Sequence, residues 1–431
     1  MADPVSTPTE TAFAVASSNL VIGVGATREI GAHAVDLGLR RIMLLTDDRM
    51  AGQPAVGVAV ESLRAAGIEV DLFAEVVVEP TEGSFEAAAG FAARGRYDGF
   101  VAVGGGSTID TAKAANLYAT YPAPFLDYVN PPIGRGLPPP GPLRPLIAVP
   151  TTAGTGSETT GVAIFDLPDL HAKTGIAHRL LRPTLGIVDP ENTRTMPAAV
   201  AAASGFDVLC HALEAYTALP FRERPAPATP SARPAYQGSN PFSDVWAERA
   251  ISVVAANLTR AVTDPSDDAA REAMSLAATY AGIGFGNAGV HLPHGMSYAV
   301  SGLVREYVAP GYPPAHPLVP HGYSVVLNAP AVFRWTASAS PGKHLRAASL
   351  LGAEPGGADP ADAGELIAGR LIELMRATGV PNGLSGVGYG PDDAPALADA
   401  TLPQHRVTKL APRAVERADL ERLFVDALRY W

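Results

Sequence analysis

The sequence predicts an α/β N-terminal half built on a parallel sheet, followed by an all-helical C-terminal half. Three observations carry this. Short apolar runs alternate with helical patterns through the first 190 residues. The strand-like runs then stop. Beyond about residue 191, apolar residues recur only at helical spacing. A chain of 431 residues also exceeds one ordinary core, so the expected division is 1–190 and 191–431.

The expected strands are "RRIMLLTDD" (40–48), "IEVDLFAEV" (68–76), "YDGFVAVGGGS" (97–107), "RPLIAVPTT" (144–152) and "TLGIVDP" (184–190). Between them, "ATREIGAHAVDLG" (26–38), "AVGVAVESLRAAG" (55–67) and "SFEAAAGFAARG" (84–95) repeat at helical period. Strand, helix, strand in this rhythm implies parallel strands covered on both faces. In the second half, 196–218, 242–262, 267–286, 362–379 and 417–431 read as helices. Two Pro-rich stretches, 130–145 and 219–241, read as ordered loops or flexible insertions.

Bulk composition narrows the function classes. With 47% hydrophobic and 17% charged residues the chain is globular. A net charge of −11 argues against nucleic acid or an anionic membrane as partner, and an anionic substrate would need a local cationic pocket. The single cysteine, Cys210, excludes an internal disulfide and suits a reducing compartment. No run of 18 apolar residues is present, and the first residues lack a signal or transit pattern, so a cytoplasmic location is expected.

Two glycine loops carry the first chemistry. "VAVGGGSTIDTAKAAN" passes from an apolar strand through Gly104, Gly105 and Gly106 into a helix opened by Ser107 and Thr108. Glycines let backbone N–H groups approach a phosphate, and a helix N-terminus adds partial positive charge. "PTTAGTGSE" (150–158) repeats the arrangement at the next strand end. Neither is GxGxxG, and plain tight turns are the alternative. Two such loops at consecutive strand ends of one sheet point to a dinucleotide. Asp47, closing "MLLTD", stands where a carboxylate bonds a ribose hydroxyl and repels a 2′-phosphate, which favours NAD over NADP.

The second chemistry is a metal set. "GFDVLCHALEA" places Asp207 and His211 one helical turn apart. "GNAGVHLPHGMSY" holds His291 and His294, and "VPHG" holds His321, with His316 shortly before it. One carboxylate and three imidazoles suit Fe(II) or Zn(II), whereas a lone Asp/His pair on a helix is as readily a hydrogen-bonded pair. His33, His178, His344 and His405 have no such context and read as surface or structural.

Together, the strand–"GGGS"–helix loop, "PTTAGTGSE", the D-x-x-x-H helix and the later "PHG" resemble the iron-containing alcohol dehydrogenase family over nearly the whole chain. That resemblance implies an α/β dinucleotide-binding domain and a helical domain, the dehydroquinate-synthase-like fold, with metal and nicotinamide in the cleft between. Counting on without a gap from Asn287, Ala288 and Gly289 reaches His294 rather than His291. The implied ligands are therefore Asp207, His211, His294 and His321, with His291 the runner-up. The implied cofactor contacts are Asp47, Gly104, Gly105, Gly106, Ser107, Asp110, Thr151, Thr152, Ser157, Lys173 and Val188. Many members carry a second His four residues after the third ligand. Tyr298 stands there in this chain, so Tyr298 and His291 are the catalytic candidates.

"RPAYQGSNPFSDVWA", "AGIGFGNAGVHLPHGMSYAVSGLV", "HPLVPHGYSVVLNAPAVF" and "TLPQHRVTKLAP" further resemble the family's hydroxyacid–oxoacid transhydrogenase branch. The branch implies hydride transfer from 4-hydroxybutyrate to 2-oxoglutarate through tightly bound NAD, giving succinic semialdehyde and 2-hydroxyglutarate. It implies a divalent metal, Fe(II) with Zn(II) as the alternative. Small carboxylates are the expected partners, without nucleic acid or membrane, and a homodimer or larger homo-oligomer stays open. Arg305, Arg406 and Lys409 are the basic candidates for the substrate carboxylates, each of them equally a solvated surface charge. The insertion "REYVAPGYPPAHPLVP" between His294 and His321 is expected to roof the site. The rival readings are an NAD-dependent alcohol dehydrogenase with exchangeable cofactor, a dehydroquinate-synthase-like lyase and a non-catalytic metal-binding protein.

Overall fold

The computed structural model describes residues 8–170, 172–312, 317–354, 356–357 and 359–431. Eight strands are present among them: β1 (Asn19–Ile22), β2 (Arg41–Leu45), β3 (Glu69–Phe73), β4 (Gly99–Gly104), β5 (Leu146–Pro150), β6 (Val162–Leu167), β7 (Ala172–Ala177) and β8 (Leu185–Val188). Six form a parallel sheet in the order β1-β8-β5-β4-β2-β3, and β6 and β7 form a separate antiparallel pair.

The sheet follows from strands that are apolar on both faces. Along β2, Ile42 and Leu44 join one core with Val101 and Val103 of β4, while Met43 and Leu45 join another with Phe100 and Ala102. Period-two alternation sends each set to opposite faces. α1 (Ile30–Asp36) and α2 (Pro54–Ala65) cover the first face with Ile30, Ala34, Val56 and Leu63. α3 (Glu82–Gly95) and α4 (Gly106–Thr120) cover the second with Ala88, Ala92, Ile109 and Ala112. From β2 the chain runs outward to β3. It then crosses back to β4 and continues the other way to β5, so the order reverses between β2 and β4. Ligands of such sheets bind beyond the strands' carboxyl ends at that reversal.

All further α-helices follow residue 197: α5 (Ala198–Thr217), α6 (Pro241–Thr263), α7 (Asp268–Ala288), α8 (Leu292–Gly302), α9 (His321–Val326), α10 (Ala329–Thr336), α11 (Pro341–Leu350), α12 (Ala363–Ala377), α13 (Ala394–Thr401), α14 (His405–Thr408) and α15 (Arg417–Asp426). α5 is the axis of this half, packed by α6, α7 and α9 and buried from Gly205 to its end. Among the described helices it is the one long and apolar enough to cross a bilayer, and it is mostly buried inside the protein. The stretches 130–145 and 219–241 are loops apart from short 3₁₀ turns.

The sheet strands and long helices lie where the apolar patterns put them. β1 and the β6–β7 hairpin were not expected. β1 is a four-residue edge strand, partly exposed, whose pairing with β8 defines it more than its composition does. β6 and β7 pair with each other apart from the large sheet, and residue 171 between them lies outside the described residues.

Candidate active site

α5 presents Asp207, His211 and Glu214 at i, i+4 and i+7, all along one buried face. α8 brings His294 against that face, and α9 begins with His321. The close approach of α9 needs Gly322, where a Cβ would stand 1.8 Å from the Ala203 carbonyl oxygen of α5. Three imidazoles then surround one carboxylate oxygen. Asp207 Oδ1 lies 3.3 Å from His294 Nε2, 3.6 Å from His321 Nε2 and 3.7 Å from His211 Nε2. Ligands held about 2.0–2.2 Å from a tetrahedral ion stand roughly 3.3–3.6 Å apart, close to these separations from Asp207 Oδ1. Asp207, His211 and His294 hold donor atoms within 4.8 Å of one another, a group that does not include His321. Asp207 Oδ1 and His294 Nε2 are both buried without a hydrogen-bond partner. Two unsatisfied buried polar atoms facing each other are costly unless something sits between them. The residues present therefore fit a divalent metal ion.

Glu214, which the sequence reading did not single out, organises this cluster. Its Oε1 lies 2.6 Å from His294 Nδ1, and its Oε2 accepts from the backbone N–H of His291 at 2.6 Å. A carboxylate on Nδ1 fixes the tautomer in which the Nε2 lone pair faces Asp207. The spacing from Asp207 was the available signal, since seven residues is two turns of one helix face. Burial works against ionisation of Asp207, but the imidazoles of His211, His321 and His294 hold its carboxyl well below the usual range. Burial also disfavours charge on His211, pushed down to about 3, and on His321. His294 goes the other way: although burial opposes it, Glu214 and Asp207 push it up to about 10. Asp207, His211 and His321 thus stay anionic or neutral as coordination requires, whereas His294 without an ion keeps a proton on Nε2 that a bound ion would displace.

His291 is corrected. It caps α8 with its ring fully buried, and Nε2 lies 3.0 Å from Thr217 Oγ1. It lines neither the histidine cavity nor the adjoining groove. Tyr298 does line the histidine cavity, and its hydroxyl accepts from Arg406 Nη2 at 2.8 Å. Of the other basic candidates, Arg305 pairs with Asp393 at the surface and Lys409 is exposed.

A groove runs from the sheet reversal to this cluster. Asp47, Gly105, Gly106, Ser107, Thr151 and Thr152 line it at one end, and Asp207 and His321 at the other. α4 has Gly105 as its N-cap with no side chain capping it. A Cβ on Gly106 would meet Thr155 Cγ2 at 2.4 Å and one on Gly104 would meet Thr108 Oγ1 at 2.3 Å, so side chains are excluded where the loop closes. Backbone amides at an uncapped helix start, bordered by small residues, form a phosphate cradle. Asp47 uses Oδ1 on the N–H groups of Arg49 and Met50 while bordering the groove. Asp110 and Ser157 face the histidine cavity, bonded to each other at 2.5 Å and to Lys113 Nζ.

Two cofactor candidates are corrected. Lys173 lies outside the groove, buried between Glu79 Oε2 at 2.6 Å and Asp166 Oδ1 at 2.9 Å. Val188 is buried in β8, paired with Ile22. Glu79, partner of Lys173, was not foreseen. It borders both cavities, and its left-handed backbone (φ 55°) leaves no sequence signature in a non-glycine residue. The insertion before His321 contributes Gly311 and Tyr312 to the groove wall, and Val308 bridges Leu318 within it; residues 313–316, His316 among them, lie outside the described residues.

Comparison with known proteins follows this geometry. Residues 17–190 match the family model "Iron-containing alcohol dehydrogenase", and residues 235–428 match "Fe-containing alcohol dehydrogenase family, C-terminal". The chain is 54% identical over 430 residues to "Hydroxyacid-oxoacid transhydrogenase, mitochondrial" of Rattus norvegicus, covering 99% of this chain and 92% of that one. The Homo sapiens protein of the same name is 53% identical with the same coverage. Among solved structures, a 1,3-propanediol oxidoreductase superposes with a TM-score of 0.84 at 29% identity, covering 97% of this chain and 100% of that chain. These transhydrogenases are named as mitochondrial, which overturns the cytoplasmic expectation.

Proposed function

The chain belongs to the iron-containing alcohol dehydrogenase family, in its hydroxyacid–oxoacid transhydrogenase branch, and from that premise we propose the reaction and the roles of its residues. The reaction is transfer of a hydride from 4-hydroxybutyrate to 2-oxoglutarate through NAD that stays bound, giving succinic semialdehyde and 2-hydroxyglutarate. The observation that carries this reading is the set of three imidazoles 3.3–3.7 Å from Asp207 Oδ1, at the inner end of a groove that begins at two glycine loops.

Asp207, His211, His294 and His321 would hold the divalent ion, iron or zinc, which supplies Lewis acidity to the hydroxyl and carbonyl oxygens of the substrates. Gly105, Gly106, Ser107, Thr151 and Thr152 would cradle the pyrophosphate, and Asp47 would accept from a ribose hydroxyl. The protein's own work is then positional. Glu214 keeps His294 in one tautomer. The apolar wall of Val162, Phe285 and Val290 keeps bulk water from a site where hydride changes hands. Tyr298 uses its oxygen to accept from Arg406, which leaves its own O–H free to donate into the cavity that it lines.

The test is to purify the protein and measure bound nicotinamide. 4-Hydroxybutyrate and 2-oxoglutarate are then added with no cofactor supplied. Formation of 2-hydroxyglutarate and succinic semialdehyde in equal amounts is expected. Steady NADH release from 4-hydroxybutyrate and added NAD, with no need for an oxoacid, would mark an alcohol dehydrogenase with exchangeable cofactor instead.

A further inference from the structure

Arg406 is a cation beside the active-site cavity without an anion. Its Nη2 donates to the Tyr298 hydroxyl, and its guanidinium lies over the Tyr236 ring, 5.0 Å from the centroid. Both tyrosines wall the histidine cavity. The other buried cations nearby are matched. Lys113 has Asp110, Lys173 has Glu79 and Asp166, and Arg182 donates to the carbonyls of Thr159 and Gly286. Arg406 has no carboxylate in reach among the described residues, and its Nη1 is buried with no hydrogen-bond partner.

A second cavity adjoins the first, with Tyr298 in the wall of both. Arg406, Gln404 and Asn130 line it, and Asn130 Nδ2 is likewise buried without a partner. The unpartnered buried polar atoms of this cavity are thus two donors and no acceptor. Buried donors are normally satisfied, and a guanidinium left part-satisfied carries a larger penalty. A carboxylate, which only accepts, answers both, and its planar pair of oxygens suits a guanidinium fork.

We propose that Arg406, held in place by Tyr298 and joined by Asn130, binds the carboxylate that the two substrates have in common. This rests on the reaction proposed above. In 4-hydroxybutyrate two methylenes separate the reacting carbon from the carboxylate. In 2-oxoglutarate two methylenes also separate the reacting carbonyl carbon from the distal carboxylate. One guanidinium at one distance from the reacting carbon therefore serves both half-reactions. The donor and the acceptor can then present their reacting carbons at the same place, with the second carboxylate of 2-oxoglutarate standing where 4-hydroxybutyrate has a hydrogen. Specificity for such a carboxylate then comes from a single part-buried charge with one buried, unpartnered nitrogen, in a molecule whose net charge is −11.

The test compares charged and neutral ligands in wild type, Arg406→Met, Arg406→Lys and Asn130→Leu. For Arg406→Met, kcat/KM with 4-hydroxybutyrate should fall about 100-fold, mainly through KM, and at least about 30-fold further than kcat/KM with 1-butanol. Binding of butyrate, a carboxylate with no hydroxyl, should weaken by about 30-fold or more by calorimetry. Equal losses with both alcohols, or unchanged butyrate binding, would overturn the proposal. If the Met variant does not fold, the other two decide. Arg406→Lys keeps the charge without the fork and should weaken butyrate about 10-fold, and Asn130→Leu about as much; butyrate binding unaltered in both would overturn it. Should the wild type fail to exchange hydride between the two acids, the proposed reaction falls, while butyrate binding still decides the role of Arg406.

Discussion

At the scale of single residues, the site is decided by which nitrogen faces which oxygen. His291 and His294 are three apart, a spacing that on one continuous helix would put both on one face. The helix begins between them. His291 is the N-cap at φ −132° and ψ −125°, outside helical geometry, and its ring turns to Thr217. His294 is inside α8 and turns to Asp207 and Glu214. The residue types were legible in the sequence, and the gap-free count from Asn287 chose His294; the physical reason for that choice was not legible, because it depends on where a helix starts to within a residue. The consequence is measurable as metal per chain. His294→Ala and His321→Ala should each lose most bound metal and turnover. His291→Ala should keep its metal and lose stability, by about 1–3 kcal/mol for the vacated space and the unpaired Thr217 hydroxyl. Loss of metal in His291→Ala with retention in His294→Ala would reverse the assignment.

At the scale of elements, the strands of the large sheet were legible because a parallel sheet covered on both faces demands continuous apolar runs, as in β4, buried at every position. β1 and the β6–β7 hairpin were not. Their strand character rests on partners distant in sequence or on a short reversal, and neither writes a periodic signal. The site depends equally on contacts between elements. α9 is only six residues long, so it contributes little helix stability of its own, and its placement against α5 sets the position of His321. Gly322 makes that contact, with no room for a methyl group against Ala203. Gly322→Ala should therefore push α9 outward. The expected cost is about 1–3 kcal/mol in stability. More diagnostic is a loss of metal and at least about tenfold in turnover, from a substitution that removes no ligand. Full metal content with a lowered melting temperature would show that α9 yields without carrying His321 away.

At the scale of the whole molecule, the cleft serves two reactions in turn. In the proposed reading the sheet supplies the dinucleotide groove and the helical half the metal ligands; Asp207 and His321 line the groove that runs from the glycine loops. Oxidation of the hydroxy acid releases a hydride and a proton, and reduction of the oxoacid consumes both. The exchange is proton-neutral, so a closed site has no need to send the proton to solvent between the two halves. Tyr298 is placed to donate its O–H to the oxygen that gives up and regains that proton. It is buried, it lines the cavity, and its oxygen is already engaged by Arg406, which leaves one O–H to direct inward. A histidine at this position would instead exchange protons near neutral pH. Tyr298→Phe removes the O–H and keeps the ring. If that hydrogen bond serves the reacting oxygen, Phe should slow single-turnover reduction of bound NAD by 4-hydroxybutyrate about 100-fold with metal content unchanged, the usual scale for a lost acid–base group. Coupled exchange contains the same oxidation, because the oxoacid enters only after the aldehyde has left, and should slow with it. Because Phe also frees Arg406 Nη2, kcat rather than KM is the quantity to compare. A rate unaltered in both would reduce Tyr298 to a spacer for Arg406.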